Sequence, residues 1–260
     1  MLLIRSLLFN VAFYLNLAFW LLAAMLTMVL PPRFLLRIAQ LWGQSSIWLM
    51  RVIVGTRCEI VGIENIPPGG IIMAAKHQST WETFALVTVF RNPVYILKRE
   101  LTWLPFFGWC LIKLRMIPVD RGARSRALQE VTRRAKIELG QNGRQLMIFP
   151  EGTRRPAGAE PAYKYGVTHL YTELGVPCVP VALNAGLFWP RRSLIKRPGT
   201  IRVEILPAIP PGLAKMEFHT LLQEQIETAS NRLLADGLAE LERLGVPAPV
   251  SIRQEPQPQA

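Results

Sequence analysis

Gly70-Ile71-Ile72-Met73-Ala74-Ala75-Lys76-His77-Gln78-Ser79-Thr80-Trp81-Glu82 passes from six uncharged residues directly into a cation, an imidazole, two hydroxyls and a carboxylate. A short apolar run behind the turn signal Pro67-Pro68-Gly69-Gly70 reads as a buried strand, and the polar stretch after it as a loop entering a helix. Open α/β sheets place ligands beyond the carboxyl ends of their strands, so His77 and its neighbours become candidates for a site. The same alternation continues on either side. Strands are predicted over 59–61, 70–75, 94–97, 115–119, 145–149, 178–183 and 200–206, with helices over 80–90, 125–139, 166–174 and 215–241. The expected fold class is α/β, a mixed sheet flanked by helices.

The chain ahead of this body is of another kind. Residues 6–30 carry no charge, and a helix of that length can cross about 30 Å of hydrocarbon. A secretory signal peptide is the competing reading, but its apolar stretch is about 7–15 residues and ends in a cleavage site. After Pro31-Pro32, residues Phe34, Leu35, Ile38, Trp42, Trp48 and Val52 recur at helical spacing, with Arg33, Arg37 and Arg51 on the other side. That is the pattern of a helix lying among lipid headgroups. No acidic residue precedes Glu59, and the basic flank favours a body on the cytoplasmic side of an inner membrane. Hydropathy leaves open whether the first helix spans the bilayer or dips into one leaflet. Three parts result: a membrane-anchoring helix pair over 1–53, an α/β domain over 54–245, and a Pro- and Gln-rich tail over 246–260 that is expected to be disordered.

In 260 residues, 30 Lys and Arg face 18 Asp and Glu, a net charge of +12. With 18% charged and 50% hydrophobic residues, a purely soluble protein is disfavoured. The excess charge calls for anionic partners. Between Lys98 and Arg134 nine basic residues stand against three acidic ones, which suits anionic membrane lipid or a phosphate. Nucleic acid is excluded as a partner because these residues are not organised around stacking aromatics on a recognisable module. Cys58, Cys110 and Cys178 are scattered and form no C-x-x-C pair, so neither a disulfide framework nor a metal site is expected.

Three constellations carry chemistry. His77 can take a proton from a hydroxyl, and a carboxylate on its other nitrogen would fix the tautomer; Glu82 is the local candidate. Residues five apart share no helix face, so they meet only if His77 lies in the loop and turns back. Ser79 and Glu82 equally fit a capping box that needs no catalysis. Lys98 and Arg121 suit a phosphate, although Asp120 and Arg121 also read as a solvated ion pair. Phe149-Pro150-Glu151-Gly152-Thr153-Arg154-Arg155 follows an apolar strand, with a glycine that permits close approach and two guanidinium groups for an anion; a plain charged turn is the alternative.

In order, His77-x4-Glu82, Val119-Asp120-Arg121, Phe149 to Arg154 and Val176-Pro177-Cys178-Val179-Pro180-Val181 resemble the four blocks of the glycerolipid acyltransferases, specifically the 1-acyl-sn-glycerol-3-phosphate acyltransferases. The resemblance covers about residues 50–210 and implies a glycerolipid acyltransferase-like fold. It implies transfer of a fatty acyl group from acyl-CoA or acyl carrier protein to the sn-2 hydroxyl of lysophosphatidic acid, giving phosphatidic acid without a metal or other cofactor. His77 would be the general base and Glu82 its orienting carboxylate. Lys98, Arg121 and Arg154 would hold the acceptor's phosphate, Glu151, Gly152 and Thr153 would shape the acceptor site, and Val179 and Pro180 would wall an acyl groove. His169 and His219 are expected to be dispensable. The family's usual first block has aspartate where Glu82 stands, one methylene longer, which leaves room for glycerol-3-phosphate or a lyso-ornithine lipid as acceptor. A non-catalytic protein that binds anionic lipid is the reading from a different class.

Overall fold

The computed structural model describes residues 1–120, 124–140 and 142–253. Arg121, expected at the phosphate, lies outside them. Among the described residues seven strands form one sheet: β1 (Thr56–Val61), β2 (Ile71–Ala75), β3 (Pro93–Lys98), β4 (Ile117–Val119), β5 (Gln145–Ile148), β6 (Cys178–Leu183) and β7 (Gly199–Ile205), in the order β1-β7-β6-β2-β5-β3-β4. β2 pairs parallel with β5 and β6, β3 with β5, and β4 with β3. β7 runs antiparallel to β6 and parallel to β1. β2 and β5 are buried along their whole length, which is why both are continuous apolar runs rather than alternating ones. Because β2 to β6 all point one way, the segments that follow β2, β3, β4 and β5 leave the sheet at one edge.

The body is preceded by α1 (Leu2–Leu26) and α2 (Pro32–Leu49), the second running on into a π-helical turn, Met50–Val54. Among the described residues α1 alone is long and apolar enough to cross a membrane, by length and composition. It is also fastened to the body. Phe9 and Phe13 are buried in a cluster with Trp42, Phe84 and Trp189. Ser6 Oγ donates to the Lys196 carbonyl at 3.1 Å and accepts from the Lys196 N–H at 2.9 Å, and Asn10 Nδ2 donates to the Leu194 carbonyl at 2.9 Å. Farther along, Asn16 Nδ2 reaches the hydroxyls of Ser45 and Ser46 on α2. Gly43 lets α2 approach closely, since a Cβ there would lie 2.7 Å from the Phe84 carbonyl oxygen. The outward face of α1 leaves Ile4, Val11, Leu15, Phe19, Leu22 and Leu26 exposed.

Right-handed crossovers put α3 (Trp81–Ala85) and α4 (Phe107–Lys113) on one face of the sheet and α5 (Arg124–Gly140) and α6 (Gly166–Leu174) on the other. The short α7 (Ala185–Phe188) follows β6, and α8 (Lys215–Arg243) packs over β6 and β7. Two elements depart from expectation. The helix predicted over 80–90 stops at Ala85 and tightens into a 3-10 turn, Leu86–Thr88, while α4 was not foreseen. Part of the expected tail is ordered, because it carries apolar groups to bury: Val246 and Ile252 pack on the core, Arg197 Nε donates to the Pro247 carbonyl at 2.7 Å, and Val250–Arg253 form α9. Residues 254–260 lie outside the described residues.

Candidate active site

β2 ends in two basic residues that turn apart. His77 Nδ1 lies 2.9 Å from Glu82 Oε1, and the same oxygen accepts the backbone N–H groups of Gln78 at 2.7 Å and Ser79 at 2.6 Å. Ser79 Oγ accepts from the Trp81 N–H at 3.1 Å. One half of the expected capping box, the Ser79 N–H on Glu82, and the histidine–carboxylate pair, posed as rivals by the sequence, therefore share one oxygen, while Ser79 Oγ turns to Trp81 instead of the Glu82 N–H. His77 sits in the loop ahead of α3, as the five-residue spacing required. An oxygen that already receives two backbone N–H groups is an acceptor, so Nδ1 donates to it and Nε2 is the nitrogen left to face the cavity. Glu82 is fully buried, and the His77 ring stacks on Phe149 with centroids 4.0 Å apart.

On the other side Lys76 Nζ lies 3.2 Å from Glu151 Oε1 and 2.6 Å from Glu227 Oε1, and the Tyr163 hydroxyl also donates to Glu227 at 2.8 Å. Glu151 Oε2 accepts the His77 N–H at 3.2 Å, and the His77 carbonyl accepts from the Arg155 N–H at 2.8 Å. Lys76 and Glu151 are both buried. Burial pushes the Glu151 carboxyl above the usual carboxylate range in spite of the lysine beside it. Glu151 thus ties the Phe149–Arg155 turn to the back of the His77 loop. It does not line the cavity, so any part it has in shaping the acceptor site is through that turn and loop.

That cavity, about 1120 Å³, opens at the carboxyl edge of the sheet. His77, Lys98, Asp120, Gly152, Thr153, Arg154 and Lys164 supply its polar wall. Lys98 pairs with Glu100 at 3.0 Å and Asp120 with Arg99 at 2.7 Å. Arg154 is positioned at both ends: Nη1 donates to Thr80 Oγ1, and its carbonyl accepts from Arg191 Nη1 at 2.7 Å. Gly152 adopts φ +65°, and a Cβ there would lie 3.2 Å from Lys164 Cδ, so the glycine admits the Lys164 side chain. The apolar walls come from α1 and α2 (Phe13, Leu17, Leu21, Leu35), from the β3–α4 segment (Leu97, Leu101, Leu111), and from α5 and α6 (Val131, Leu170). Val179 and Pro180, expected to wall an acyl groove, do not line it. β6 lies between β2 and β7, and every one of its residues is buried in the layers of the body.

Sequence reasoning missed Lys164, which sits in an irregular segment with no motif around it, and Tyr95, whose buried hydroxyl belongs to a segment read only as a strand. Burial and the Glu82 charge raise the Tyr95 hydroxyl above its ordinary range. His169 and His219 lie away from the cavity, and His219 Nδ1 is 2.9 Å from Thr168 Oγ1. All three cysteines are free thiols whose pKa burial raises, Cys58 to about 12. Among the described residues no group of three or more His, Cys, Asp or Glu side chains could hold a metal ion.

Residues 57–184, from β1 through the end of β6, match the family described as Acyltransferase. Over 182 residues, 70% of either chain, the sequence is 43% identical to a 1-acyl-sn-glycerol-3-phosphate acyltransferase of Pseudomonas aeruginosa. The chain belongs to the 1-acyl-sn-glycerol-3-phosphate acyltransferase family. A protein of the same description from Saccharomyces cerevisiae is 31% identical over 166 residues, 62% of this chain and 54% of the yeast one. The crystal structure of the 1-acyl-sn-glycerophosphate (LPA) acyltransferase PlsC from Thermotoga maritima superposes with a TM-score of 0.74, covering 90% of this chain and 98% of that one at 23% identity. The acyltransferase therefore shares that fold, including the mixed sheet and its flanking helices.

Proposed function

We propose that the acyltransferase moves a fatty acyl group from acyl-CoA or acyl carrier protein to the sn-2 hydroxyl of 1-acyl-sn-glycerol-3-phosphate, forming phosphatidic acid, with His77 as general base. The observation that carries this reading is the His77 ring, held at Nδ1 by Glu82 and set in the wall of an apolar cavity that three cations, Lys98, Arg154 and Lys164, border. Nε2 takes the proton of the acceptor hydroxyl as its oxygen attacks the thioester carbonyl. The tetrahedral intermediate collapses with cleavage of the C–S bond, and the imidazolium returns the proton to the departing thiolate. Glu82 stabilises the imidazolium between the two steps. The cations, with Arg121 of the resembling block, hold the acceptor's phosphate and so set its hydroxyl against His77, the proximity term of the reaction. The apolar walls take acyl chain. The thioester supplies the driving force, and no metal or other cofactor takes part.

The product is a membrane lipid, so this is a step of phospholipid biosynthesis carried out at a bilayer. Bonds to the body at both ends of α1, from Ser6 and Asn10 to the carbonyls of Lys196 and Leu194 and from Lys113 to those of Thr27 and Leu30, support an α1 that lies in one leaflet, because a spanning helix would carry one end away from the body. The basic surface supports a body on the cytoplasmic side of the inner membrane, against anionic lipid. The reading is tested by transfer of a labelled acyl group, from each thioester in turn, to lysophosphatidic acid in vesicles carrying the protein. Glycerol-3-phosphate and a lyso-ornithine lipid run alongside, with His77→Ala as control. Labelled phosphatidic acid from the unaltered protein alone is expected. Transfer only to another acceptor would move the specificity, and transfer to none would overturn the reading.

A further inference from the structure

Twelve residues from Leu101 to Ile112 carry no charge. The structure leaves much of their apolar surface in the open: Trp103 is 66% exposed, Phe106 47%, Trp109 50% and Ile112 62%. Soluble surfaces rarely show so contiguous an apolar patch without a partner. The backbone holds the patch out. Phe106 adopts φ +62° and ψ −57° in a tight turn closed by the Phe107 N–H on the Pro105 carbonyl at 2.7 Å, a strained conformation for a bulky residue. Around the patch stand Lys98, Arg99, Lys113 and Arg115, of which Lys98 pairs with Glu100 at 3.0 Å, Arg99 with Asp120 at 2.7 Å and Arg115 with Glu138 at 2.8 Å. The Arg99 guanidinium lies over the Trp103 ring at 5.5 Å.

The segment has two faces. Its inner side chains, Leu101, Leu104, Phe107 and Leu111, wall the cavity, whereas Trp103 and Trp109 take no part in it. Lys113 Nζ at the end of α4 donates to the carbonyls of Thr27, Met28 and Leu30, which fastens the segment to the turn after α1, where Leu26 and Val29 are 80% and 91% exposed. The two apolar surfaces are therefore joined, and the cavity is walled by both.

We propose that residues 101–112 form a second lipid-inserting element, a wedge that enters the headgroup region of an anionic bilayer beside the end of α1, so that the cavity opens to lipid between the two. The proposal rests on the reading that the acceptor arrives from a membrane. Exposed tryptophans at an uncharged tip flanked by lysine and arginine side chains match the bilayer interface. An acidic protein donor would meet a rim whose Lys98, Arg99 and Arg115 are already paired with carboxylates, and would leave the tip without a partner.

The emission of Trp103 and Trp109 is isolated as the difference between the full-length protein and its Trp103→Phe, Trp109→Phe variant. It is read on vesicles of phosphatidylcholine and phosphatidylglycerol with plain or brominated acyl chains. Bromine is expected to remove more than half of that difference, and a difference equal on both kinds of vesicle overturns the wedge. In a second arm, Trp103→Glu with Trp109→Glu is expected to raise KM for vesicle-borne lysophosphatidic acid about tenfold. KM for a short-chain, monomeric acceptor should not change. An effect on both acceptors or on neither overturns the proposal, as does a loss confined to acyl carrier protein as donor, which would assign the patch to a protein. If the unaltered protein acylates no acceptor, the proposed function fails while the quenching still decides the wedge.

Discussion

Lys76 and His77 leave β2 side by side, and each meets glutamate on its own side of the sheet edge. Lys76 turns into the body, where Glu151, Glu227 and the Tyr163 hydroxyl surround it. His77 turns to the cavity with Glu82 at its back. Glu82 and Glu151 are both buried and both accept backbone N–H groups of the same loop. Only Glu82 also touches the imidazole. The difference teaches that a carboxylate just beyond a strand end can serve architecture or chemistry, and that direction rather than residue type decides. Glu151 fixes where the loop lies, and Glu82 fixes which nitrogen of His77 is free to act.

His77→Ala removes the proposed base and leaves the loop's backbone bonds in place. Transfer should fall by about 10³-fold with the melting temperature nearly unchanged, and retained turnover would break the division of roles. Glu151→Ala acts on the other side. It leaves buried Lys76 with Glu227 as its remaining carboxylate and frees the His77 N–H, so stability should drop by about 1–3 kcal/mol in thermal or denaturant unfolding. Because the folded-state pKa of Glu151 is raised, its protonated form is favoured on folding. That contribution is fully present below the ordinary carboxylate pKa and is lost as pH rises through the raised value. Glu151→Gln should abolish this slope when melting temperature is followed from acid to neutral pH. Glu82→Asp shortens the reach to His77 by one methylene, and an approximately tenfold loss of kcat, about 1.4 kcal/mol, is expected at near-normal stability. Phe149→Leu deletes the ring stacked on His77. A loss of roughly twofold to fivefold in kcat is the smallest effect anticipated, with acceptor KM unchanged.

Much of this was legible in the chain. β2 and β5 announce themselves because strands in the middle of a parallel sheet are buried on both faces, and their polar sequels land together because all leave the sheet at one edge. The segment 101–112 was not legible as an element. Its inner face lines the cavity and its outer face is exposed, yet both are apolar, so no polar stripe marks a helix. The part that α1 and α2 take in the cavity was hidden for a similar reason. A helix apolar all round gives no sign that Phe13, Leu17 and Leu21 turn inward. Lys164 reaches the site only through the space left by Gly152, a tertiary fact with no local signal. The run Val176–Val181 reads equally as core or groove wall, and only the position of β6 inside the sheet decides for core.

The central claim is that Glu82 serves the reaction and Glu151 the scaffold. Its most direct test is kcat and melting temperature measured together for Glu82→Gln and Glu151→Gln in the vesicle-bound protein. Gln at position 82 keeps an acceptor for the Gln78 and Ser79 N–H groups but no charge to stabilise the imidazolium. A loss of about 10²-fold in kcat at unchanged melting temperature is predicted there, against a shifted melting temperature with a much smaller loss of kcat for Glu151→Gln. An unchanged rate in Glu82→Gln, or a loss of rate in Glu151→Gln at full stability, would contradict the account.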